Sequence, residues 1–354
     1  MSPKKQHEVA NLASLINAVA SKQGIERIMD IGAGQGYLDI SLAFQYGKTV
    51  IGVDDDEIQT CGAKRRTDIV NSYVQRRASD GVGKLLHVNR RVHKNETFAS
   101  LLDDVSGSQD SHWLLCGLHS CGDLTPAVMK HFLESEATAL VVVGCCYNKL
   151  TEKKPSEPHL HENVGFPLSS YLLSQSPRFH LGFSARTLAC QATCRWTEPD
   201  DGGAENFKKH HYRALLQFVL HQHGLMERAR NNSKPSPDHD IIIGRLKPNA
   251  FSSGFASYAK LALSRLHIDA DAEGLAHEIL QRYDDRYKGR ELEIAIVWTL
   301  RSMMGDIFES LLLADRFLFL TEQLQDDGSL VQLVPLFEPI ISPRNMALIA
   351  VKAK

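Results

Sequence analysis

A chain of 354 residues can bury a substantial core, and 43% hydrophobic with 23% charged residues describes a globular protein rather than a disordered one. Lysines and arginines number 40 against 42 acids, so the net charge of −2 excludes a global basic field for nucleic acid and leaves only local patches. Seven cysteines, two of them adjacent, do not make a secreted disulfide framework, no apolar run reaches a membrane span, and the start MSPKKQHEV has no apolar signal core, so an intracellular protein of cytoplasm or nucleus is expected, without membrane contact.

The first element is an amphipathic helix over residues 1–22, with Val9, Leu12, Ile16 and Val19 at helical spacing and Lys5, His7 and Glu8 among the solvated charges of its start. Ile28 to Ile31 then reads as a buried strand, and Gly32, Gly34 and Gly36 as a tight turn. Leu38, Leu42 and Ala43 mark the apolar face of a helix, and Val50 to Val53 a second buried strand ending in Asp54. A polar helix from Glu57 to Arg77 follows, its Lys64-Arg65-Arg66 run reading as a solvated face. Leu85 to Val92 predicts a third strand, Phe98 to Leu102 a short helix, Trp113 to Leu118 a central strand, and Ala139 to Val143 a fifth. This alternation argues α/β architecture with a doubly wound parallel sheet. From Thr151 to Met304 polar loops separate helical stretches, which reads as a mostly helical insertion between strands five and six. Leu330 to Val334 and Met346 to Val351 then return to strand character, as an antiparallel hairpin at the sheet's end. The expected domains are therefore a core of 1–150 with 305–354, and an insertion of 151–304 for recognising substrate or partner.

Glycine is needed after the first strand because the backbone must turn tightly where a ligand approaches, and an acid ending the second strand suits a ribose diol. The dinucleotide fingerprint is G-x-G-x-x-G, facing a pyrophosphate. This chain has Asp30-x-Gly32-x-Gly34-x-Gly36 instead. A carboxylate there repels a pyrophosphate but tolerates an amino group and a sulfonium, which favours S-adenosylmethionine over NAD. The expected cofactor contacts are Asp30, Gly32, Ala33, Gly34, Gly36, Asp54 and Asn89. In such sheets ligands bind beyond the carboxyl ends of the strands, where His119 to Asp123 and Cys145 to Tyr147 also fall.

The D-x-G-x-G-x-G form resembles motif I of class I methyltransferases. KKQHEV at Lys4 to Val9, DIGAGQGYL at Asp30 to Leu38, GLHSCGDL at Gly117 to Leu124, GCCYNKL at Gly144 to Leu150, GFPLS at Gly165 to Ser169, LACQ at Leu188 to Gln191 and SPRN at Ser342 to Asn345 are similar to words of one family. It is the methyltransferase-like protein twenty-five family, whose relatives are labelled as ribosomal RNA adenine dimethylase domain proteins. The H-x-C-G and C-C words also resemble, more distantly, tRNA acceptor-stem 2′-O-methyltransferases. The resemblance implies a Rossmann-like class I methyltransferase fold with S-adenosylmethionine as donor. Enzymes that methylate amino groups usually carry an N/D-P-P-Y/F box after the fourth strand, where this chain has His119-Ser120-Cys121-Gly122.

Methyl transfer needs an aligned nucleophile and, where required, a base. The candidate catalytic residues are His119, the leading base, with Cys145, Cys146 and Tyr147. The candidate pocket residues are Lys5, His7, Cys121 and Asp123. Cys121, Cys145 and Cys146 also admit a covalent cytosine-C5 route, although the P-C and T-C boxes of those enzymes are absent. His119, Cys121, Cys145, Cys146, Cys190 and Cys194 offer ligands for a metal or iron–sulfur site, but no C-x-x-C pair marks one, so none is expected. RNA is the expected acceptor, by O- or N-methylation, with a protein substrate or a partner-binding scaffold as the alternatives.

Overall fold

The computed structural model describes residues 1–76, 83–92, 112–153, 165–175, 180–196, 203–234, 241–244, 246 and 250–353. The helix expected near Phe98 to Leu102 lies outside them. Two compact units are present: Met1–Cys190 with Ile307–Lys354, and Gln191–Asp306.

The first unit opens with helix α1 (Pro3–Gln23), whose ends follow local chemistry. The Ser2 side chain accepts the Lys5 N–H, and Pro3 sits in the first turn, where its missing N–H is not needed. Gly24, at φ 69°, closes the helix by donating back to Ala20 and Ser21. Strands β1 (Arg27–Ile31), β2 (Thr49–Asp54), β3 (Leu85–Asn89), β4 (Trp113–Cys121), β5 (Ala139–Cys145), β6 (Leu330–Pro335) and β7 (Met346–Val351) form one sheet ordered β3-β2-β1-β4-β5-β7-β6. The first five run parallel, and β7 lies antiparallel between β5 and β6, so the doubly wound sheet ends in the hairpin that the sequence predicts. Helix α2 (Tyr37–Ile40) continues into a π-helical turn at Ser41–Gln45; α3 (Glu57–Gln75) and α4 (Leu124–Glu134) follow β2 and β4.

Both faces of the central strands are buried. Ile28, Leu114 and Val141 pack with Leu12 and Ile16 of α1 on one side, while their neighbours Met29, Leu115 and Leu140 pack with Val128 and Phe132 of α4 on the other. Short helices α5 (Ser170–Ser174) and α6 (Gly182–Leu188) complete the run before the second unit. That unit holds α7 (Gly203–Gln222), α8 (Met226–Asn232), α9 (Phe255–Arg265), α10 (His277–Tyr287) and α11 (Glu291–Met303). Its own core joins Leu216, Val219 and Leu220 to Phe255, Tyr258 and Leu263. Helix α12 (Gly305–Gln323) leads back toward β6.

Two strand ends differ from the sequence expectation. β3 stops at Asn89 rather than Val92, and β4 runs past Leu118 to Cys121. The extension follows from a β-bulge. Leu118 faces Val143 and Ser120 faces Gly144, which leaves His119 as an extra residue at φ 62°; pairing then resumes, because β5 still offers Gly144 and Cys145.

The three glycines after β1 all have left-handed φ, at 83°, 55° and 68°. A Cβ on Gly36 would meet His87 Cε1 at 2.6 Å and Ala63 Cβ at 3.0 Å, whereas one on Gly34 would meet nothing within 4 Å. Gly36→Ala is expected to cost about 2–5 kcal/mol from strain plus overlap, and Gly34→Ala only about 1–2 kcal/mol from backbone strain. Urea midpoints of the two variants check this difference.

Candidate active site

At the carboxyl ends of β1 and β4 a cleft of about 340 Å³ is lined by Asp30, the loop Gly32 to Gln35, Leu38, Gln59, Leu118, His119 and Lys5. That volume lies in the range of small-molecule sites. The loop is held from below and from the side. The Gly34 N–H donates to Asp54 Oδ2 at 2.8 Å, and the Asp56 N–H donates to Asp54 Oδ1 at 2.9 Å, so each carboxylate oxygen keeps a lone pair for a further donor. Arg66 donates to the Gln35 carbonyl at 2.6 Å and to its side chain at 3.1 Å, and its guanidinium stacks 4.3 Å from the Tyr37 ring. The basic run in α3 is thus more than a solvated face: one of its members clasps the loop.

Beneath the loop Asp30 and Asp39 are both buried and interact side chain to side chain. Burial raises both carboxyls well above the ordinary carboxylate range, and for Asp39 the neighbouring Asp30 adds to the rise. The rise favours the protonated form of both acids. Asp39 Oδ2 also lies 3.5 Å from His87 Nδ1, and burial with the charges of Lys64 and Arg66 keeps that imidazole neutral by lowering its pKa to about 4. Asp30 Oδ1 is a buried acceptor with no hydrogen-bond partner among the described residues, and Asp30 is among the residues that line the cleft.

His119 also lines the cleft. Its Nε2 lies 2.9 Å from Glu8 Oε1, which also accepts from Ser342 Oγ at 2.7 Å and faces Lys4 Nζ at 3.6 Å. Burial alone pushes the Glu8 carboxyl up, but the hydrogen bonds of His119 and Ser342 and the charges of His119 and Lys4 outweigh it and hold it down to about 2. An ionised Glu8 can only accept, so His119 carries its proton on Nε2 and Nδ1 is the basic nitrogen. Glu8, expected as a solvated helix-start charge, is only 1% exposed. The signal that could have found it is the pairing of two similar words from opposite ends of the chain, KKQHEV and SPRN.

The remaining candidates divide. Lys5 lines the cleft, but His7 Nε2 accepts the Glu338 N–H at 3.1 Å and anchors α1. Asn89 donates to the Asp54 carbonyl and to Thr60, both at 3.2 Å, bracing the end of β2. Asp123 Oδ1 accepts the Thr151 N–H at 2.8 Å. Tyr147 is buried, donates to Glu309 at 3.0 Å and lies under the Arg316 guanidinium, so its ring presents no open face of the kind a stacked substrate needs. Cys121, Cys145 and Cys146 gather into one cluster, in which hydrogen bonding among the thiols draws Cys121 down and, with burial, pushes Cys145 and Cys146 up. None of the three lines the cleft.

A glycine loop turning under an open cleft at the end of β1, in a sheet whose last strand runs antiparallel between its neighbours, is how class I methyltransferases hold S-adenosylmethionine, and this chain is one of them. Its residues 4–153 match a family model described as a methyltransferase domain. Over 99% of its length it is 26% identical to the mouse (Mus musculus) protein described as "Probable methyltransferase-like protein 25", covering 75% of that protein. It is 25% identical to the Homo sapiens protein of the same description, with the same shares covered. Among solved structures it is similar to magnesium protoporphyrin IX methyltransferase (ChlM) from Synechocystis PCC 6803 with bound SAH, at 19% identity and a TM-score of 0.26 over 37% of this chain and 52% of that one. At that score the overlay adds nothing to the sheet order above. No helix among the described residues is long and apolar enough to cross a membrane.

The acid pair carries a pH signature. With both pKa values raised, the folded protein keeps a proton that the unfolded chain has released above about pH 4, so this site loses stability as pH rises. Asp39→Asn is expected to leave stability near pH 4 unchanged and to raise it at pH 8, because the variant no longer has to hold a proton that the unfolded chain releases. Denaturant titrations at the two pH values check this.

Proposed function

We propose that the methyl acceptor is RNA and that His119 removes its proton. The observation carrying this reading is a histidine in the cleft wall whose tautomer and orientation are imposed by a buried, ionised Glu8. Such a pair serves an acceptor that must lose a proton on methylation, a ribose hydroxyl above all, and positioned bases of this kind contribute roughly 10²–10⁴-fold. The likeness of the H-x-C-G and C-C words to tRNA 2′-O-methyltransferases supports RNA in particular. The C5 route draws no support from the thiols, which stand outside the cleft lining.

S-adenosylmethionine supplies an electrophilic methyl group on sulfur. Toward it, Asp30 offers its unpartnered Oδ1 to the amino group, the loop from Gly32 to Gly36 gives backbone room, Asp54 accepts from the ribose diol, and Lys5 faces the carboxylate. The second unit, Gln191–Asp306, together with the residues from Thr151 onward, serves to recognise the acceptor or a partner.

Labelled donor, incubated with RNA and with protein extract from cells lacking the protein, is expected to label RNA, in nucleotides methylated on oxygen or nitrogen. Label in protein alone would overturn the RNA assignment. On the labelled acceptor, His119→Ala is expected to lower kcat by about 10²-fold or more with little change in donor affinity. Glu8→Gln is expected to lower kcat by a smaller factor, because it removes the orienting charge and leaves the base in place.

A further inference from the structure

The thiols of Cys121, Cys145 and Cys146 stand in a near-equilateral triangle. Their Sγ atoms are 3.1 Å (Cys121 to Cys145), 3.3 Å (Cys121 to Cys146) and 3.6 Å (Cys145 to Cys146) apart. Cys121 and Cys145 are facing partners at the ends of β4 and β5, and Cys146 turns back toward them because its own φ is 49°. A left-handed backbone on a residue that is not glycine costs of order 1–3 kcal/mol and persists where the surroundings impose it. Here it brings a third sulfur to the two that the strands already pair.

We propose that these three cysteines bind zinc(II) as a tris-thiolate site. Zinc with bonds of about 2.3 Å in tetrahedral geometry sets its sulfur ligands about 3.8 Å apart, only a few tenths of an ångström wider than the triangle. Expansion by that amount asks for rotamer adjustment rather than backbone movement. A disulfide uses two sulfurs about 2.05 Å apart and leaves the third over, whereas one ion satisfies all three.

The charge balance is compatible as well. Three thiolates around a dication carry a net charge of −1, and Lys149 acts on Cys121 and Cys146, while Arg316, which Asp315 also faces, acts on Cys145. Arg316 is 2% exposed, and its Nη2 has no hydrogen-bond partner among the described residues. A buried cation with an unused donor is costly beside neutral thiols and favourable beside a metal thiolate. Cys121 and Cys146 are half-buried, which gives the ion access, and no fourth donor from a histidine, cysteine or acid joins the group among the described residues. The fourth position therefore belongs to water or an external ligand. Binding releases the thiol protons to solvent.

The test is zinc(II) titration of the reduced, full-length chain after chelator treatment, read by competition with a chromogenic chelator, together with cobalt(II) substitution. One equivalent of zinc and an intense sulfur-to-cobalt charge-transfer band are expected. Cys121→Ser and Cys146→Ser should each weaken zinc binding by more than the roughly 10–100-fold typical of losing an outer-shell partner. Cys61→Ser and Cys194→Ser, at exposed positions outside the cluster, should not change it. Absence of zinc binding at micromolar concentration, a cobalt spectrum without thiolate charge transfer, or affinity unchanged in both cluster variants would overturn the proposal. The cobalt spectrum is taken on the unsubstituted protein, so it decides the matter even if a serine variant fails to fold.

Discussion

One buried carboxylate joins what the sequence keeps apart. Glu8 belongs to the first helix, His119 to a bulge in the middle of the sheet, and Ser342 to the turn before the last strand, and all three meet at a single oxygen. Placing an ionised acid in a dry interior costs several kcal/mol unless it is paired and hydrogen-bonded. The same contacts that remove this penalty also fix which nitrogen of His119 is basic. Packing of α1 on the sheet and orientation of the base are therefore one event, and a sequence change that loosens the helix also blurs the chemistry.

The cleft is built from charges treated in opposite ways. On the Glu8 side an acid is kept ionised by its neighbours. On the Asp30 side burial drives two neighbouring acids toward the protonated form, beside a neutral His87. The loop between them is rigid for geometric reasons, with left-handed glycines, an amide tied to Asp54 and a side clasp from Arg66. A donor bound here meets preorganised dipoles and needs little rearrangement of the protein, which is the condition under which electrostatic contacts are worth most.

The parts legible in the sequence were those written in short-range pattern. The glycine turn, the acid ending β2, the apolar runs of β4 and β5 and the final hairpin each carry their signal within a few residues, because strand periodicity and backbone conformation are local matters. Glu8 was illegible for the opposite reason: an acid between a histidine and a valine at a helix start looks solvated until Ser342, from the far end of the chain, covers it. Arg66 hid within a basic run, and Asp39 within an ordinary helix start. Cys121, Cys145 and Cys146 each stood out, but their gathering into one triangle was not legible, because two paired strands and a strained residue assemble it. His119 was expected just past the end of its strand, but it lies inside β4 at a bulge, and that bulge is a matter of register between two strands, which no single stretch encodes.

The position of β7 bears on how the molecule is made. It fills the gap between β5 and β6, pairing Ala139 with Val351, so β5 waits for a partner that lies beyond the whole of the second unit in the chain. Pairing of this sequence separation is slow to form. Until it does, β5 exposes an apolar edge from Ala139 to Val143, of the kind that recruits foreign strands. The loop that β7 closes therefore spans the whole of the second unit, and the entropy of closing it falls to the extent that this unit is compact around its own core.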